Sequence, residues 1–306
     1  MKVIGQKHFL LMFILLFLFN NIMGQNDHEL KTKKGVTLER TELRIIHSDI
    51  VGQDYELLIS LPRDYAGSNH SYPVIIITDA YRSFPIYKAI ADVFSKPGTL
   101  MPEVILVGIA YGSDESNSML HWAVGRTRDL TPSKNSNAES WLKETLVTMG
   151  FPDAEIQTGG AELFLKFLRY ELFPYINTHY KADMEDKTLC GQSYGGLFGL
   201  YTLFHAPETF DRYLIASPSI GYGAGVTYDY ESEYANSHND LNALVFMSSG
   251  SLEKATMENV IKMENLLLSR NYPNLKLKTV IFENESHTSC VPAAISRGLI
   301  VLFKND

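Results

Sequence analysis

Beyond residue 36 the chain alternates short apolar runs with helical stretches, and this rhythm admits few architectures. Residues 37–47 and 54–62 read as strands joined by the turn-rich SDIVGQ, while PVIIITD (73–79) and EVILVGIAY (103–111) are apolar runs of the buried-strand type. IYKAIADVF, between the last two, is helical. The second half repeats the scheme with a long helix over AELFLKFLRYELFPYI, then strands at KTLC, RYLIAS, LVFMSS and LKLKTVIFE. Helices are expected from Ser193, over residues 255–269, and from about Val291 to the end. Strands alternating with helices imply an α/β fold with a mostly parallel sheet covered on both faces. The 306 residues, 45% of them hydrophobic, suffice for one large domain with a sizeable core.

One interval breaks the rhythm. Residues 112–160 are rich in Ser, Asn, Asp and Glu, carry both tryptophans, and interrupt a compact strand–helix succession. Long insertions on a regular scaffold serve as lids or binding loops. The aromatic and arginine content predicts an ordered cap.

At the N-terminus Lys2, Lys7 and His8 precede an unbroken apolar run from Phe9 to Phe19. The run is short of the roughly 20 residues that span a bilayer and suits a signal-peptide core, with Gly24 a plausible last residue before cleavage. A membrane anchor is the competing reading. Cleavage leaves residues 25–306 as a single exported domain without stable membrane insertion. It deletes two lysines and no acids, so the formal charge moves from −8 to −10. Such a balance argues against a nucleic-acid or anionic-membrane binder, which needs a basic surface to displace counterions. Cys190 and Cys290 are the only cysteines, close to the candidate site in sequence; two buried free thiols are favoured over a disulfide. No cofactor and no metal is expected.

The chemistry centres on TLCGQSYGGLFGL, residues 188–200. A bare G-x-S-x-G pattern is weak, but here it lies between an expected strand and an expected helix. Small residues at 191 and 195 let the chain turn so sharply that Ser193 Oγ rises at the carboxyl edge of the sheet. The Tyr194 backbone N–H then opens a helix where it can face a developing oxyanion. A serine hydroxyl is a poor nucleophile and needs a base. Of nine histidines, His287 in NESHTS follows the last expected strand and reaches the same edge late in the chain. Glu253, in SGSLE after the strand at 244–249, stands between them in sequence, whereas Asp240 precedes that strand and falls at the wrong edge. Glu253 is either the acid that orients His287 or a helix N-terminal residue offsetting the dipole. The order Ser193, Glu253, His287 is that of α/β-hydrolases.

At this point the chain resembles a family, the esterase-D-like α/β-hydrolases, and within it the siderophore (enterobactin-type) esterases. The likeness covers about residues 37–304 and rests on GQSYGGLFGLY, RTRDLTP at 126–132, GGAELFLKFLRYELFPYI, SPSIGY, GSLE and ESH. It implies the α/β-hydrolase fold and a serine hydrolase of carboxylic esters, with Ser193 as nucleophile, His287 as base and Glu253 at the acid position. It also implies a second oxyanion N–H from the turn after an early strand, usually reading Asp-Gly-x. Here that turn reads Asp79-Ala80-Tyr81, which leaves Tyr81 N–H as the donor.

For the substrate, Arg126 and Arg128 on the cap, Arg82 and Tyr222 suit an anionic or catechol-bearing small-molecule ester by pairing and stacking. Equally, RTRD is a structural turn in which Asp129 pairs one arginine. A feruloyl or acetyl sugar ester is the rival substrate, acyl transfer the rival reaction, and a non-catalytic binding module the rival class.

Overall fold

A computed structural model describes residues 37–95, 100–112 and 118–304. The expected signal segment, 1–24, lies outside the described residues. Internal contacts separate Met1–Leu38 from Glu39–Asp306, and every element below belongs to the second unit.

Eight strands form one sheet: β1 (Thr41–Ser48), β2 (Gln53–Ser60), β3 (Tyr72–Ile77), β4 (Ile105–Ala110), β5 (Ala182–Gln192), β6 (Arg212–Ala216), β7 (Ala243–Gly250) and β8 (Leu275–Phe282). Their order is β1-β2-β4-β3-β5-β6-β7-β8. β1 and β2 pair antiparallel, β2 pairs antiparallel with β4, and every later neighbour is parallel. This is the α/β-hydrolase arrangement the sequence predicts. The helices are α1 (Ala80–Phe94), α2 (Ser118–Asp129), α3 (Ser136–Thr148), α4 (Ala161–Phe167), α5 (Phe173–His179), α6 (Tyr194–His205), α7 (Val226–Ser237), α8 (Lys254–Ser269) and α9 (Val291–Phe303), with a π turn, Leu168–Leu172, joining α4 to α5. Among the described residues no helix is long and apolar enough to cross a membrane.

The apolar central runs are explained by burial on both faces. In β3, Val74 and Ile76 join one core with Phe164 and Phe198 from α4 and α6, while Ile75 and Ile77 join a second with Phe84 of α1 and Leu299 of α9. Side chains alternate along a strand, so each face needs its own apolar set. Each fully buried Val, Leu or Ile contributes roughly 1.5 to 3 kcal/mol.

Two features depart from the sequence reading. The cap is not only ordered but helical: α2 and α3 close on a small core of Ala123, Leu142, Leu146 and Ala154. Asn135 starts α3 by accepting a hydrogen bond from Ala138 N at 3.0 Å. α7 was not foreseen at all, because its inward residues are Thr227, Glu231 and Tyr234 instead of aliphatic ones. Glu231 is fully buried, and the Arg270 guanidinium donates to both its oxygens at 2.8 and 2.7 Å.

Candidate active site

The sharp turn at Ser193 is built as the glycines require. Ser193 leaves β5 with φ 58° and ψ −116°, outside the regions open to ordinary residues and worth roughly 1 to 3 kcal/mol of strain. A Cβ at Gly191 would lie 2.3 Å from the Gly195 carbonyl group, and one at Gly195 would lie 2.3 Å from Thr78 Oγ1. No side chain fits at either position. Ser193 N donates to Ala216 O at 3.0 Å, and Ser193 O accepts from Leu197 N at 2.9 Å. The strained residue is thus held from both sides. Tyr194 is the first residue of α6, so its N–H has no intrahelical acceptor. Tyr81, second in α1, likewise carries its N–H in a first helical turn, and its side chain is exposed.

Glu253 enters from the turn after β7. It occupies the N-cap position of α8, but its side chain makes no capping bond. Instead Oε1 accepts from Gly250 N at 2.9 Å and from Ser217 Oγ at 2.7 Å. Oε2 lies 2.5 Å from His287 Nδ1. Burial pushes this carboxyl's pKa upward, and the bonds from Gly250, His287 and Ser217 outweigh it, so the group stays below its ordinary value of 4.5. The carboxylate is thus ionised and faces the imidazole at neutral pH. His287 sits on the loop after β8, its side chain 47% exposed, and Gln192 Nε2 donates to its carbonyl at 2.5 Å. With Nδ1 engaged, Nε2 is the ring nitrogen left for chemistry.

Ser193 and His287 both line a cleft of about 360 Å³, with Thr78, Asp79, Arg82, Trp122 and Arg126. Ser193 Oγ lies 3.4 Å from Ser219 Oγ. Topology brings these residues together, because the carboxyl ends of β3, β5, β6, β7 and β8 share one edge of the sheet.

The four substrate-binding candidates separate. Arg126 lines the cleft; its Nε and Nη2 donate to Asp79 Oδ2 at 2.9 and 2.8 Å, and its guanidinium carbon lies 4.9 Å from the ring centroids of both Trp122 and Tyr194. Arg82 lines the same cleft, 5.4 Å from Trp122. Arg128 is not among the cleft residues. Its Nε and Nη2 donate to the two oxygens of buried Asp129 at 2.6 and 2.9 Å, and Tyr55 Oη donates to Asp129 at 2.7 Å. Tyr222 also stands behind the cleft wall, its ring edge-on to Tyr194 and its hydroxyl donating to Ser133 O at 2.7 Å. So RTRD is divided, one arginine at the cleft and one holding the base of the cap.

Sequence reasoning missed four contributors: Ser217, Ser219, Gln192 and Asp79. Ser217 and Ser219 lie in SPSIGY, but φ of 41° at Ser217, which aims its hydroxyl at Glu253, leaves no mark in composition. Asp79 adopts φ 54° at the start of α1, where the family's pattern of Asp-Gly-x hinted at an unusual backbone. Cys190 and Cys290 are free and buried. Among the described residues no cluster of His, Cys, Asp and Glu is arranged to hold a metal ion.

Comparison with known proteins identifies the family. The family model described as "Putative esterase" matches residues 48–153 and 142–287. Ferri-bacillibactin esterase BesA of Bacillus subtilis is 28% identical over 276 residues, 88% of this chain and 91% of that protein. The crystal structure of BES protein from Bacillus cereus superposes with a TM-score of 0.75 at 28% identity, covering 90% of this chain and all of that one. Siderophore hydrolase EstA from Aspergillus nidulans shares the fold, with a TM-score of 0.72 at 20% identity over 89% of this chain and 98% of the other. The chain belongs to this esterase family: it is a carboxylic ester hydrolase of the α/β-hydrolase fold, related to the siderophore esterases of bacteria and fungi.

Proposed function

We propose that the chain cleaves a siderophore or related aryl ester through an acyl-enzyme on Ser193. The observation that carries this reading is the ionised Glu253 carboxylate at 2.5 Å from His287 Nδ1, on the cleft that also holds Ser193. Glu253 fixes the imidazole with its proton on Nδ1, which leaves Nε2 to accept the Ser193 proton as Oγ bonds the ester carbonyl carbon. Negative charge then develops on the carbonyl oxygen, and the Tyr194 N–H at the start of α6, with Tyr81 N–H as second donor, stabilises it. The protonated His287 hands its proton to the departing alkoxide as the C–O bond breaks. Water, deprotonated by the same nitrogen, releases the acid and restores Ser193. Arg82 and Arg126 supply positive charge beside Trp122 on the cleft wall, which favours an anionic or catecholate portion of the substrate. The relatives named for siderophore ester cleavage support that class. The charged, apolar N-terminal segment supports export of the mature chain.

Purified mature protein assayed against triscatecholate lactones, feruloyl and acetyl sugars and simple aryl esters tests the reading. The expected result is turnover of the catecholate lactone at a kcat/KM at least tenfold above every sugar ester. A preference for feruloyl or acetyl sugars overturns the substrate class, and transfer of the acyl group to an added alcohol in preference to water overturns hydrolysis.

A further inference from the structure

A second cavity meets the first at Ser193. It holds about 550 Å³ under the cap, between α2 and α3, and Ser193, Tyr194 and Ser219 form its inner end. Trp122 and Arg126 are common to both cavities, but His287, Arg82 and Asp79 line only the first. The two spaces therefore differ in chemistry. Arg126 is the single charged side chain on the second, and it sits at the end shared with the first, where Asp79 pairs it. Away from the inner end most of its wall is apolar, from Met119, Trp122, Trp141, Leu142, Leu146 and Met149, with Thr127 and Thr145 the polar exceptions, and Leu142 and Leu146 are buried. Trp141 and Met149 remain 65% and 48% exposed along it. Large apolar side chains left in water beside a reacting serine mark a surface that a ligand covers.

The position of His287 decides which half of an ester goes where, given the mechanism proposed above. The imidazole must reach the alkoxy oxygen to protonate it as the bond breaks, so the alcohol portion lies in the cleft that His287 lines. The carbonyl oxygen points to the Tyr194 N–H. The remaining substituent of the carbonyl carbon, the acyl group, is directed away from His287, into the space under the cap. We infer that this groove is the acyl subsite and that it selects an apolar acyl group, aromatic or several carbons long, over acetyl. The enzyme thus reads an ester in two halves, a polar or anionic alcohol portion at Arg82 and an apolar acyl portion between α2 and α3.

A series of p-nitrophenyl esters from acetate to octanoate, with benzoate, holds the alcohol constant and varies the acyl group alone. The expected result is a rise in kcat/KM of about three- to fourfold per methylene from acetate to hexanoate, as each buried methylene leaves water. Ala138→Phe, which fills the groove from α3, is expected to cut the hexanoate-to-acetate ratio at least tenfold. Trp141→Ala, at a largely exposed side chain, is expected to cut it about threefold. A flat or falling series in the wild type, or variants that lower both esters equally, overturns the acyl subsite while Ser193-dependent hydrolysis of acetate leaves the hydrolase reading intact. Failure to hydrolyse any member of the series overturns both.

Discussion

Around Glu253 the contacts are short and come from core strands and their ends: the Gly250 N–H, the Ser217 hydroxyl, and His287. Around Arg126 they are made by long side chains from different segments, with Asp79 after β3, Trp122 on the cap and Tyr194 on α6. The first arrangement is fixed by the order of strands in the sheet and is indifferent to which ester arrives. The second couples the cap to the sheet side through an ion pair to Asp79 and the ring face of Tyr194, with Trp122 of the same helix α2 on Arg126, so it is the part that substitution can retune. On the proposed function, reaction and selectivity occupy neighbouring but differently built regions, and variants on each side are expected to fail in different ways.

The largest effect belongs to the sheet edge. Ser193→Ala is expected to lower turnover on the order of 10⁴- to 10⁶-fold while the melting temperature holds, since alanine keeps the same Cβ through the same turn. His287→Ala is expected to match it, and the double variant to be little worse, because the two act as one unit. Glu253→Gln comes next, at roughly 10⁴-fold in turnover, because an amide no longer holds the imidazole in its reactive tautomer. If Glu253 served the α8 terminus instead, the same change would cost only about 0.3 to 1 kcal/mol of stability and spare the rate. Its lack of any capping bond predicts the first outcome.

The paired arginines sharpen the comparison within the cap. Arg128→Leu removes the counter-charge of the fully buried Asp129, leaving only the Tyr55 hydroxyl on it, and is expected to cost about 3 to 5 kcal/mol in chemical denaturation, with KM for charged and neutral esters changing together. Arg126→Met is expected to raise KM for an anionic ester about ten- to a hundredfold, more than for a neutral aryl acetate. Equal behaviour of the two variants would erase the distinction between a cleft arginine and a structural one.

The smallest effect is at Ser217. A carboxyl whose folded pKa is depressed stabilises the fold above its unfolded pKa, near 4.5 for Glu253, and that contribution is lost as pH falls through the lower folded value. Ser217→Ala removes one bond that lowers the pKa. The loss is then expected to begin at higher pH, moving the acid-unfolding midpoint up and costing about 0.5 to 1.5 kcal/mol at neutral pH.

What could be read from the chain follows the same division. β3, β4 and β7 were legible because strands buried on both faces must be continuous apolar runs, and Ser193 because glycines at 191 and 195 have no other reason to flank it. His287 and Glu253 were singled out by their place after late strands and by the family resemblance, with Glu253 open between an acid and a helix-end role. α7 was not legible, since its inward face is a tyrosine, a threonine and a glutamate whose partner, Arg270, lies 39 residues away. Nor was the separation of Arg126 from Arg128. Two residues apart on a helix, they point about 200° apart, and only the position of α2 on the sheet decides which meets the cleft.

The central claim is that Ser193 becomes covalently acylated with His287 as its base and Glu253 behind it. An aryl phosphonate ester, which a serine of this kind attacks irreversibly, tests it when the labelling rate is followed by intact mass and the site is located by peptide mass spectrometry. The account predicts one adduct per chain, on Ser193, forming at least a thousandfold slower in His287→Ala and markedly slower in Glu253→Gln. An adduct at another residue, or labelling of Ser193 at the same rate without His287, would contradict it.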